Sequence, residues 1–267
     1  MLALATIASA QSRIPRLPSG KPDFNGIWQA IGPANYDIER HMARPSLLLR
    51  DGPHGPLPAV PLLRLGAVGS VPGGMGIVDG GKIPYKPEAA KKRDENRANW
   101  LDRDPEIRCY MPGVPRATYM PFPFQILQNA KQFFINYEFA GAFRDILFKS
   151  PGPAETDSWM GQSVGRWEGD TLVVDTTNFN DQPGLGNADR NLHVIERFTR
   201  IDDKTLRYKF TVEDPTVWTK PWTGEMVWPA TDARIFEYAC HEGNYSFAGI
   251  LRGARILEAD AIAKKKP

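Results

Sequence analysis

The sequence predicts a mainly β protein, an antiparallel meander closing into a barrel, on three observations. Beyond Pro123, short runs rich in Val, Ile, Thr, Phe and Tyr follow one another between turn residues: QILQ, FFINYEF, FRDILF, WMGQSVGRW, TLVVDTTNF, LHVIERFTRI, TLRYKFTVED, ARIFEYAC and YSFAGILRG. Tight-turn residues sit between them, Asn129-Ala130-Lys131 and Gly169-Asp170 above all. No helical pattern interrupts the series. So many sequential strands leave edges that closure into a barrel, or stacking as a sandwich, would protect.

The elements follow in order. MLALATIASAQS is a short apolar run ending in Ala8-Ser9-Ala10, an A-x-A pattern of the kind signal peptidase cleaves, so residues 1–10 read as the remainder of a secretory signal, or else as a plain terminus. Residues 11–123 are rich in Pro and Gly and read as a wrap around the barrel, with a first strand at 24–30. One surface helix, 86–101, is expected within it, with Pro87 in its first turn and docking through Ala90, Ala98 and Leu101. The barrel occupies 124–252, and 253–267 reads as a short helix with a basic tail. Export gives Cys109 and Cys240 a role as one disulfide; two buried thiols are the alternative.

Composition narrows the function. A net charge of +2 points to no nucleic-acid partner, and no run approaches the length of a membrane span. No nucleotide, haem or nucleophile motif stands out, and His41 and His54 lack ligand spacing, so neither cofactor nor metal is expected. The remaining partner is a small molecule; a homodimer is compatible with the sequence.

Candidate site residues come from the strand pattern. SWMGQSVGRWEGDTLVVDTTNFND places Arg166, Glu168, Asp170 and Asp175 close together. A two-residue turn at Gly169-Asp170 accounts for most of that cluster, pairing Glu168 with Thr171 and Arg166 with Val173. Arg166 and Asp175 then share one face, as a buried pair or a surface one. Downstream, a three-residue turn at Asp202-Asp203-Lys204 places Glu196 on the apolar face with Val194 and Phe198, opposite Phe210. A two-residue turn would shift the register by one, putting Glu196 outside and His193, Ile195 and Arg197 inside, and fits the binary pattern worse. Such a carboxylate is either a general acid/base or ligand anchor, or half of a structural pair with Arg144 or Arg166. His193 falls on the outer face in this register, and is carried with Glu196 and Arg166 as the catalytic set of an enzyme reading. Ligand contact is assigned to Trp28, Tyr137, Asp175, Phe198, Tyr208 and Phe210, to Arg116 and Tyr119 of PGVPRATYMPFPF, and to Trp218 and Trp222 of DPTVWTKPWTGEMVW.

Two resemblances add to this. Gly26-Ile27-Trp28 resembles the G-x-W signature on the first strand of lipocalin-like (calycin) barrels, which implies that Trp28 closes the barrel floor. GKIPYKPEAAKKRDENRAN, RCYMPGVPRATYMPFPFQI, the SWMGQSVGRWEGDTLVVDTTNFND stretch, LHVIERFTRI and EDPTVWTKPWT are similar to a large group of secreted bacterial proteins. That similarity runs from about Gly20 to Cys240 and implies a shared fold and export, but no reaction. Members of the group tend to carry a histidine before the WMG stretch and another before the LHV strand; here those regions read KSPGPAETD and GNADRN.

The resulting expectation is a periplasmic or secreted barrel that takes a small apolar or aromatic molecule into its interior. A cofactor-independent lyase, isomerase or hydrolase using Glu196 is the alternative, and a carbohydrate-interacting protein that uses the tryptophan-rich DPTVWTKPWTGEMVW segment as a loop with exposed, coplanar rings the third.

Overall fold

The computed structural model describes residues 14–45, 48–50, 57–59, 70–99, 103–182, 187–240 and 246–264; the expected signal segment and His54 lie outside them. Nine strands form one sheet in chain order: β1 Gly26–Gln29, β2 Pro123–Gln128, β3 Phe133–Tyr137, β4 Phe143–Leu147, β5 Gln162–Glu168, β6 Thr171–Thr177, β7 His193–Arg200, β8 Thr205–Glu213 and β9 Trp222–Pro229. The sheet nearly closes into a barrel, since Trp28 bridges Ala230 and the Thr231 amide donates to the Ile27 carbonyl at 2.9 Å.

The expected registers hold at both hairpins that matter for the site. Glu168 faces Thr171 across a turn whose Gly169 has φ +60°, a conformation that favours glycine, and Glu196 faces Phe210. One junction departs from the meander: β4 and β5 run parallel, with Ile146 opposite Ser163 and Leu147 opposite Val164. The long connection of residues 148–161 lets the chain return to the end of the barrel it left, as a parallel pair requires.

Three further elements differ from expectation. The tryptophan-rich segment is not all loop, because Trp222–Pro229 pairs with β8 and turns Trp222, Gly224 and Trp228 inward. At Gly224 any side chain would start 2.5 Å from the Phe210 ring, so the bare glycine is what lets that ring lie across β9. ARIFEYAC carries no strand, and YSFAGILRG enters helix α3, Ser246–Lys264. Its Ala, Leu, Arg and Glu content suits a helix, and the sheet already closes through β9 and the residues just after it.

The wrap runs along β9. Val78 bridges Gly224, Tyr85 bridges Trp218, and the Glu225 amide donates to the Ile77 carbonyl, so the segment covers an otherwise open edge. Helix α1, Pro87–Ala98, docks through the half-buried Ala89, Ala90, Arg93 and Asn96 rather than Ala98, which is exposed; Leu101 lies outside the described residues. A cis Val114–Pro115 bond precedes the short helix α2, Arg116–Tyr119. Cys109 and Cys240 form a disulfide with Cα atoms 6.1 Å apart, tying this loop to the chain beyond β9.

Candidate functional site

Among the described residues, the barrel interior holds one buried ion pair. Alternation along β4 and β7 turns Arg144 and Glu196 inward, and their side chains are 1% and 0% exposed. Arg144 Nη2 lies 2.6 Å from Glu196 Oε2 and Nη1 lies 3.1 Å from Oε1, while the Tyr208 hydroxyl donates to Oε1 at 2.8 Å. Nη2 also reaches Ser163 Oγ at 2.8 Å and Thr176 Oγ1 at 3.1 Å, hydroxyls that are themselves 3.0 Å apart. Burial alone would lower the Arg144 pKa, but the Glu196 and Tyr137 neighbours raise it above its ordinary value. Burial, reinforced by the Glu196 charge, holds the Tyr208 phenol well above its usual range, and burial pushes Tyr137 up to about 12 against the opposing Arg144 charge.

In this arrangement both Glu196 oxygens accept charge-assisted or phenolic hydrogen bonds. That is the geometry of the structural pair, with Arg144 as the partner. Arg166 is not that partner: it lies on the outer face, 55% exposed, and pairs with Asp175 at 3.0 Å and Glu168 at 3.1 Å. His193 also lies outside, its Nε2 meeting the Asp175 carboxylate and its Nδ1 lying 3.5 Å from Glu213. The sequence set Glu196, His193 and Arg166 is therefore split by the sheet, one residue within and two without. Asp175 belongs to the outer network and lines no interior wall.

The aromatic residues assigned to a ligand pack on one another. Trp228 lies at their centre, with ring centroids 4.4 Å from Tyr208, 4.7 Å from Phe124 and 5.8 Å from Phe198. Phe210 stacks against Tyr119 and meets Trp222 edge-on. Trp28 is buried at one end, donating to the Phe24 carbonyl, with the Arg200 guanidinium 5.2 Å from its ring centre. Trp218 and Trp222 are buried and cross at 80°, so the exposed coplanar platform a sugar would need is not formed. Arg116 is held by Asp104 at 2.7 Å and Glu106 at 2.6 Å instead of reaching a cavity mouth.

A hollow opens at the end of the barrel opposite Trp28, where β5 and β7 begin and β6 ends. Pro112, Gly113, Val114, Trp159, Phe179, Asn180, Gln182, Ala188 and Leu192 line it; beneath its open mouth the enclosed volume is about 10 Å³, the size of one water. None of these nine residues titrates. Gly113 has φ +69°, and a Cβ there would sit 3.0 Å from the Trp159 carbonyl, so the close approach of the PGVP loop to the WMG segment requires glycine. Tyr110 packs on Trp159 with centroids 5.6 Å apart. The sequence reading missed this site, although its walls come from the PGVP, WMG and NFND stretches and from the residues leading into LHV, which it had singled out together. Their convergence was the available signal. Compared with protein-family models and with curated proteins, the chain matches none.

Proposed function

We propose that this chain is an exported, calycin-like barrel protein that binds a small uncharged molecule, apolar or aromatic, in the hollow between the PGVP loop, Trp159 and the segment after β6. The observation that carries this reading is the lining: an apolar floor of Val114, Phe179 and Leu192, a Trp wall, and the amides of Asn180 and Gln182 among the lining residues, with no charge to repel or transform a neutral ligand. The enclosed part is water-sized, so a single ring enters only if the PGVP loop and the Trp159 segment give way, and an extended molecule does not fit. Export is supported by the Ala8-Ser9-Ala10 pattern and by the disulfide, which an oxidising compartment would preserve. Acid/base catalysis by Glu196 has less support, because its carboxylate is neutralised by Arg144 and hydrogen-bonded by Tyr208.

The test is to incubate the protein with mixed neutral aromatics such as phenol, indole and benzyl alcohol and identify retained and altered species by mass spectrometry. Gln182→Trp serves as a mouth-filling control at an exposed position. Retention by wild type, weakened at least about tenfold in the variant, is expected. Retention unaffected by Gln182→Trp, or none at all, defeats the reading, and conversion of a species that stops in Glu196→Gln transfers the function to the interior carboxylate.

A further inference from the structure

We propose that the barrel interior binds one oxygen acceptor, a water or a single oxygen of a small carboxylate, between Arg144 Nε and the Tyr137 hydroxyl. Arg144 uses both terminal nitrogens on Glu196, Ser163 and Thr176, but its Nε finds no hydrogen-bond partner among the described residues. The Tyr137 hydroxyl has none either, though it is buried. The two groups are neighbours: Ile135 stands opposite Arg144, which makes Tyr137 the diagonal neighbour on the same inward face. Their side chains come close enough to interact, by charge and by direct polar approach, yet neither Nε nor the hydroxyl meets hydrogen-bond geometry with the other. Two polar groups so placed are commonly joined through a third.

The chemistry of that third group follows from its surroundings. Arg144 Nε can only donate, so the guest must accept. The Arg144 charge is already balanced by Glu196, so the guest need carry no charge, and a full anion gains less here than beside a free guanidinium. Left unpaired, each buried donor would cost stability that proteins usually recover through a partner or an ordered water. The site is distinct from the end hollow and stands whether or not that hollow binds a ligand.

The test is Tyr137→Phe, which removes one donor and almost no volume. With a guest in place, the variant melts below wild type. Formate added after exhaustive dialysis distinguishes the two sources: it raises the wild-type melting temperature, but not the variant's, if the acceptor is a carboxylate oxygen. If formate changes neither protein and oxygen-17 relaxation dispersion shows one fewer long-lived water in the variant, the guest is water. A variant melting at or above wild type, as expected when an unpaired buried hydroxyl is deleted, overturns the proposal.

Discussion

Glu196 and Arg197 are adjacent on β7 yet belong to different media. Glu196 points inward, fully buried, to Arg144; Arg197 points outward, 42% exposed, to Glu168 at 2.5 Å. Both contacts join an Arg and a Glu from different strands of one sheet. Within the barrel, the charges have lost bulk solvent and depend on each other and on Tyr208, Ser163 and Thr176. On the outer face the chain Arg197–Glu168–Arg166–Asp175–His193 keeps its solvent, so each contact replaces a hydration that was already favourable. Similar distances therefore carry different energetic meaning, and burial, not geometry, decides which pair the fold depends on.

The sharpest way to break this comparison is to remove one interior partner. Arg144→Met leaves Glu196 buried without its counter-charge and should cost roughly 3 to 5 kcal/mol in urea unfolding. Replacing the cluster together, Arg144→Met with Glu196→Leu and Tyr208→Phe, should recover most of that loss, because no orphaned charge remains and the hydroxyl that donated to Glu196 is removed with it. A single variant as stable as wild type would mean that the interior is wetter than its burial implies. A triple variant no better than the single would place the cluster's value in shape instead of charge.

Much of this contrast could be read from the sequence, and the reasons are specific. Glu196 was placed inside because TLRYKFTV alternates cleanly and the turn before it fixes register, so a period-two pattern was enough. Arg144 could be named only as one of two partners. Choosing it over Arg166 required knowing which strands meet across the barrel, and the parallel β4–β5 junction was not legible in strand-by-strand alternation. Trp228 shows the same limit: WTGEMVW lacks a clean apolar alternation of its own, while β8 supplies the edge that makes Trp222–Pro229 a strand. The end hollow depends on contacts between residues as distant as Val114 and Leu192, for which local pattern offers no signal.

The outer face should respond weakly to the equivalent substitution. Glu168→Gln removes contacts to both Arg166 and Arg197, but its partners remain hydrated. Its melting temperature should differ from wild type no more than that of a neutral surface substitution such as Lys131→Gln, and any difference should shrink in 0.5 M salt as screening shortens. A salt-insensitive loss comparable to that of Arg144→Met would erase the distinction between the two faces.

A comparably small effect, but one that depends on pH, is expected at Asp175, the most enclosed acid of the outer chain. Partial burial pushes its pKa up, but hydrogen bonds from His193 and Arg166 outweigh that and hold it below the usual carboxylate value. A carboxyl with a depressed folded-state pKa binds fewer protons folded than unfolded. Its contribution is present above about pH 4 and is lost as the pH falls below that. Asp175→Asn should therefore trail wild type in urea midpoint by a small margin at pH 7, and the margin should close as the series descends from pH 4 to pH 2. A margin that stays constant across the series would mean that Asp175 acts through its shape or hydrogen bonds alone, and that the outer network contributes no charge-dependent stability at this residue.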